Sequence, residues 1–190
     1  MPKIAEIEPT PNPNAMKFVL KEPLTWGVSR SYDSPDQARE DRLAAALFEI
    51  PHVTNVFYVD HWITVTQDGG ANWDELMRRL AVPIREAPAA DAQSQAYAAL
   101  GTGHPGLDDE TLTDEQRGKL MMIADLIDQN VRPYLQGDGG DLFIVGLEGN
   151  LLKVHYQGAC GSCPSSLSGT LAGIESMVKS IDPEIELIPV

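Results

Sequence analysis

Two cysteines, Cys160 and Cys163, are the only thiols in the 190-residue chain, and two residues separate them in Cys160-Gly161-Ser162-Cys163. A secreted disulfide framework uses many more cysteines. A spaced pair offers two thiolates to a metal, or a dithiol to redox exchange. The pair follows an apolar strand pattern and precedes Pro164, a residue suited to the first turn of a helix. Free N–H groups and the positive end of the helix dipole lower a thiol pKa at such a junction. Gly158 and Gly161 let the backbone fold around the sulfurs, and Ser162, Ser165 and Ser166 are positioned to donate to sulfur or to cap the helix. The small Gly, Ala and Ser side chains predict thin walls, with the sulfurs reachable by incoming thiolates.

A cubane iron–sulfur cluster or a structural zinc takes four protein ligands as a rule. One chain supplies two cysteines. His155, five positions before Cys160, falls on the outward face of the strand and reads as a surface residue. His52, His61 and His104 lack metal-ligand spacing and read as loop or surface residues. The count favours two copies of the chain around one centre, related by two-fold symmetry. Three rivals stay open on residues alone. They are a dithiol–disulfide oxidoreductase, a structural zinc dimer and an interaction protein with an inert pair. Against the first, no acidic or cis-proline partner can be identified.

The elements that must position the pair are legible. Thr113-Asp-Glu-Gln116 is a capping box, and Leu120, Ile123, Ile127 and Val131 follow at helical spacing. Pro133 marks that helix's kinked or fraying end. Gly137-Asp138-Gly139-Gly140-Asp141 lacks the Lys-Ser/Thr of a phosphate loop and reads as a tight turn; the alternative is that Asp138 or Asp141 contacts partners instead. Residues 142–147 form a strand, Glu148-Gly149-Asn150 a hairpin turn, and residues 151–157 the return strand. Pro164 opens a helix through Leu167, Leu171, Ile174 and Val178, and residues 184–190 form a last strand. The order is α-β-β-α-β.

Upstream, residues 16–20, 53–60 and 61–67 read as strands. A helix opening at Ser34-Pro35 runs to Phe48 or Glu49, and Asn72 caps another containing Trp73, Leu76, Met77 and Leu80. Trp62 and Trp73 belong to the core. Between the halves, small, polar and breaker residues predominate, as in Gly101-Thr-Gly-His-Pro-Gly106. The expected organisation is therefore an α+β chain of two small domains, 1–88 and 113–190, joined by a flexible linker over 89–112.

The run Arg132-Pro133, Gly137-Asp-Gly-Gly-Asp141, Gly158-Ala-Cys-Gly-Ser-Cys-Pro-Ser-Ser166 and Gly173-Ile-Glu175 resembles the NifU-like C-terminal domain of Nfu-type iron–sulfur cluster carriers. Thr10-Pro-Asn-Pro-Asn-Ala-Met-Lys-Phe18, Leu47-Phe48, Val53-Thr-Asn-Val-Phe57, Ile63-Thr-Val-Thr66 and Trp73 resemble the Nfu N-terminal domain. The resemblance implies a carrier, not an enzyme. It implies a [4Fe–4S] cluster held by Cys160 and Cys163 at a homodimer interface, received from an assembly scaffold and delivered to apo iron–sulfur proteins. It also implies an N-terminal domain used for partner recognition.

The formal charge is −14, and acidic side chains exceed basic ones in both halves. Nucleic-acid binding needs a basic footprint, and none is visible. No run of about 18 apolar residues exists to span a membrane as a helix. Met1-Pro-Lys-Ile-Ala-Glu6 has neither an apolar core nor an Arg-rich stretch of a targeting signal, so the expected location is the cytoplasm.

Overall fold

A computed structural model describes residues 2–90, 103–161 and 169–190. The chain divides into two compact units, Met1–Leu100 and Gly101–Val190, and is α+β in both.

The first unit is an antiparallel sheet of five strands. These are β1 (Ile4–Pro9), β2 (Ala15–Leu20), β3 (Arg30–Tyr32), β4 (Val53–Val59) and β5 (Trp62–Gln67), in the order β1-β2-β5-β4-β3. Phe18, Val56, Ile63 and Val65 share a buried cluster with Leu43 and Leu47 of helix α1 (Arg42–Phe48) and Leu76, Leu80 and Ile84 of α2 (Trp73–Glu86). The edge strands β1 and β3 escape the periodicity reading: β1 buries none of its residues fully and β3 has only three. Asn72 caps α2 as expected, its side chain accepting from the Asp74 N–H. Trp73 packs against the core, and Trp62 is half-buried with Lys17 Nζ 5.3 Å from its ring centroid.

Helix α1 starts seven residues later than Ser34-Pro35 predicts. Residues 35–40 form turns, and Asp41 is the cap, its carboxylate accepting from the Ala44 N–H at 2.9 Å. The same carboxylate accepts from Tyr32 Oη (3.0 Å), Tyr58 Oη and Arg30 Nη1 (3.2 Å). A cap with three side-chain donors outcompetes Ser34, which offers a single weak bond at 3.4 Å. Burial alone would raise the Asp41 pKa; the Ala44 N–H, the two tyrosine hydroxyls and Arg30 override it and hold the group below the ordinary aspartate range.

The second unit has a three-stranded sheet. β6 (Gly140–Glu148) pairs antiparallel with β7 (Leu151–Gly158), which pairs parallel with β8 (Glu186–Pro189). Gly149 takes φ +59° in the two-residue hairpin turn, where a side chain would be strained. Helix α3 (Asp114–Asn130) carries the full Thr113–Gln116 capping box and buries Leu120, Ile123, Ala124 and Ile127. It ends before Pro133, which sits in the first turn of a separate short helix, α4 (Arg132–Gly137), where its missing N–H leaves no bond unmade. Helix α5 (Leu171–Val178) buries Ile174 and Val178 and supplies the crossover that a parallel β7–β8 pair requires. The expected helix start at Pro164 lies outside the described residues.

Residues 103–112, read from composition as linker, pack onto the second unit. Pro105–Asp108 form a 3-10 turn, and Leu107 and Leu112 are buried in the unit's core. Arg117 donates to the Leu107 and Asp109 carbonyls at 2.6 and 3.0 Å. This segment lies along the free edge of β6. A Cβ on Gly106 would fall 2.7 Å from the Gly146 nitrogen and 2.8 Å from the Val145 carbonyl carbon. Sheet edges need such cover, which explains why a polar, glycine-rich stretch is ordered.

Two measurements test this account. Asp41→Ala should cost the first unit about 1–3 kcal/mol, from a lost cap and orphaned tyrosine hydroxyls. Because the folded-state pKa of Asp41 is depressed, its stabilisation is full above the unfolded-state pKa and fades as pH falls through the folded value. The wild-type and mutant unfolding curves should therefore converge in acid, and a pH-independent difference would contradict this. Gly106→Ala should expose the Ile144–Gly146 amides to hydrogen exchange, because backbone atoms cannot yield to the new methyl. Unchanged exchange at β6 would refute the docking.

Candidate functional site

Cys160 lies in the turn that leaves β7. Gly158, paired with Gly140 across the ladder, takes φ +65° and turns the chain. The Ala159 N–H then donates to the Gly139 carbonyl at 3.1 Å, and the Gly161 N–H to the Gly158 carbonyl at 3.2 Å. The turn is thus fastened to the Gly139–Gly140 segment that opens β6. A Cβ on Gly140 would stand 2.5 Å from Cys160 Sγ, 2.6 Å from the Gln157 carbonyl oxygen and 2.9 Å from Cys160 Cβ. Only glycine allows the cysteine this close, so the glycine-rich motif and the cysteine motif meet in space.

The thin-walled loop expected from composition is not what surrounds Cys160. It is 2% exposed and shares a buried cluster with Leu135, Tyr156 and Ile174. The Tyr156 hydroxyl is buried with no hydrogen-bond partner among the described residues. Burial, and next the negative charge available at Cys160, push its pKa up to about 12. Cys163, Pro164 and the serines Ser162, Ser165 and Ser166 lie outside the described residues. His155 bonds the Val190 carbonyl through Nδ1 at 2.7 Å, an exposed structural contact consistent with its surface reading.

Behind the turn sits an ion pair that the motif encodes. Asp141, 0% exposed, accepts from Arg132 Nε at 2.8 Å and Nη2 at 2.9 Å. It also accepts from Gln136 Nε2 at 3.2 Å and from its neighbour, the Leu142 N–H, at 2.8 Å. Asp141 is therefore unavailable to partners, which removes it from the alternative reading of this loop: its carboxylate is consumed internally. Burial works against the Arg132 charge, but Asp141 and then Asp128 more than compensate and raise its pKa further. Arg132 Nη1 reaches Asp128 Oδ1 at 2.9 Å.

The same Asp128 oxygen lies 3.1 Å from His104 Nε2. The Ile144 N–H donates to His104 Nδ1 at 3.0 Å, so in the neutral ring Nε2 carries the proton that Asp128 accepts. Burial opposes ionisation of Asp128, but His104 and then Arg132 reverse this and lower its pKa. His104 lies in a loop, as its spacing suggested, but at 1% exposure it is not a surface residue. An imidazole taking over a strand-edge N–H leaves no periodic signature. The nearby Gly-His-Pro-Gly was the available hint of a fixed turn.

Among the described residues, no three His, Cys, Asp or Glu side chains are grouped to hold a metal ion. Nor is any described helix long and apolar enough to cross a membrane.

Comparison with known proteins bears on both units. The family described as scaffold protein Nfu/NifU N terminal matches residues 4–90, and the NifU-like domain matches residues 123–188. The protein named "NFU1 iron-sulfur cluster scaffold homolog, mitochondrial" is 34% identical in Drosophila sechellia and 33% in Drosophila erecta. Each match spans 185 residues, 96% of this chain and 63% of the relative. The chain thus spans less than two thirds of these relatives' length. The crystal structure of protein SAV1430 from Staphylococcus aureus is 27% identical, covering 43% of this chain and 98% of that one at a TM-score of 0.39. The cytoplasmic location expected from residues 1–6 does not stand, because the matched relatives are named mitochondrial proteins. A chain that spans 63% of its relatives carries no targeting information in where it begins.

The close approach at Gly140 yields a direct test. Gly140→Ala sets a methyl against backbone and sulfur together, and should destabilise the second unit by about 1–3 kcal/mol. A neutral effect in denaturant unfolding would show that Cys160 is not held against this glycine.

Proposed function

We propose, from the premise that this chain belongs to the Nfu/NifU scaffold family, that it carries a [4Fe–4S] cluster as cargo between two of its copies and hands it to apo-proteins. The observation that carries this reading is the ligand count. The chain has two cysteines, and its described residues group no other set of metal-binding side chains. Four thiolates then require two chains, each giving Cys160 and Cys163. The donor set suits iron–sulfur chemistry, and the relatives' names describe cluster scaffolds.

The burial of Cys160 shapes how loading proceeds. The thiol must leave its apolar packing for the sulfur to face a cluster shared with a second chain. The glycines at 158 and 161 supply backbone freedom beside it. Delivery follows by thiolate exchange, one ligand at a time, onto the cysteines of the recipient. The protein acts by binding and transfer, and no step of its own requires an enzyme's turnover. The first unit, which has no cysteine, serves recognition of the assembly scaffold or the recipient.

Anaerobic reconstitution with iron and sulfide tests the reading. Full loading should give about two irons per chain, because four-iron cubanes are shared by two chains. Sedimentation of the loaded protein should show a dimer, and Cys160→Ser or Cys163→Ser should abolish loading. The loaded protein should activate an apo [4Fe–4S] enzyme with chelator present. A loaded monomer with about four irons per chain, or activation only without chelator, would sink the proposal.

A further inference from the structure

A continuous run of polar contacts crosses the second unit from the segment before α3 to the cysteine turn. It begins at His104, passes through Asp128 to Arg132, and ends on Asp141 at the head of β6. The side chains of His104 and Asp141 are 0% exposed and that of Arg132 14%; Asp128 is 40% exposed. Next in the chain before Asp141 is Gly140, against which Cys160 packs, and before that Gly139, whose carbonyl holds Ala159.

We propose that Arg132 and Asp141, braced by Asp128 and His104, are positioning residues that hold the Cys160 thiol in its buried place. The guanidinium presents its N–H groups in a rigid planar fork. Two of them take both oxygens of Asp141 and a third takes Asp128, so the side chain has a single orientation that satisfies all three contacts. Asp141 is tied to its own strand through the Leu142 N–H, so a shift of the carboxylate moves the start of β6. That start is where Cys160 rests. His104 holds Asp128 from the far side and is itself fixed to β6 by the Ile144 N–H. Docking of residues 103–109 is thereby coupled to how often Cys160 leaves its pocket. The consequence for cluster loading rests on the reading of Cys160 as a ligand; the coupling itself belongs to the unloaded chain.

The test uses the full chain with Cys163→Ser, which leaves Cys160 as the sole thiol, and measures its alkylation by iodoacetamide under native conditions. Arg132→Lys and Asp141→Asn should raise the rate about tenfold, by making local opening easier. Asp128→Ala and His104→Phe should raise it about threefold, since they remove a brace and leave the buried pair. Asp128→Ala should add little once Arg132 is Lys, because the two act through one path. Ile123→Val, a core change outside the contacts, lowers general stability and should leave the rate at the parent value. Rates that stay at the parent value in folded relay variants, or an Ile123→Val rate that rises as much, overturn the proposal. If Arg132→Lys and Asp141→Asn do not fold, Asp128→Ala decides alone, since its carboxylate is partly exposed and alanine favours the helix. Iron content with Cys163 restored separates the two claims. Shifted rates in a chain that binds no iron leave the relay standing and sink the cluster reading. Normal loading with unmoved rates does the reverse.

Discussion

A guanidinium gripped by a fully buried carboxylate fixes the start of β6, and the arrangement of the second unit depends on it. Arg132 reaches Asp141 through two bonds, and its guanidinium carbon lies 4.8 Å from the centroid of the Phe143 ring. Buried ion pairs add little net stability against an apolar replacement, yet losing one partner is costly because the other charge is stranded. Their gain here is geometric. A fork of fixed shape sets where Asp141 lies, hence where Gly140 and Gly139 lie, hence how near Cys160 can come. The spacing from Arg132 to Asp141 closes a short helix and a turn onto the second residue of a strand.

The first unit solves a similar problem with different groups. Asp41 gathers a helix N-terminus, two tyrosines and an arginine at the β3–β4 edge of its sheet. In both units one carboxylate with several donors locks helix to sheet. They differ in what the lock holds. In the second it backs a thiol, and in the first it backs no ionisable sulfur at all. The two units correspond to the two family models, which match residues 4–90 and 123–188.

Much of this was legible in the residues. The capping box at Thr113, the cap at Asn72, the β6–β7 hairpin and the fold class follow from local patterns, which local structure honours. What was not legible depends on partners far apart in the chain. Asp41 displaced Ser34 as a cap because Tyr58, on another strand, adds a donor. His104 and Leu107 looked like linker because hydrophobic periodicity cannot report a segment that satisfies a sheet edge with one imidazole and one close glycine contact. The motif itself announced that Gly140 and Cys160 mattered, but only the fold shows that they touch. Openness around the thiol was misjudged for a like reason: Cys160 belongs to a buried cluster that includes Leu135 and Ile174, which lie outside the cysteine loop.

The parallel pairing of β7 with β8 bears on how the molecule is made. Antiparallel β6 and β7 are neighbours in the chain and can zip together as soon as both exist, whereas β8 contributes residues 186–189 of 190 and reaches β7 only through the α5 crossover. On a ribosome the segment between β7 and β8, with both thiols in or near it, is complete before the strand that closes it has emerged. A ring closed by so distant a contact forms late. The cysteine turn therefore leaves β7 before the strand that completes the sheet is available to it.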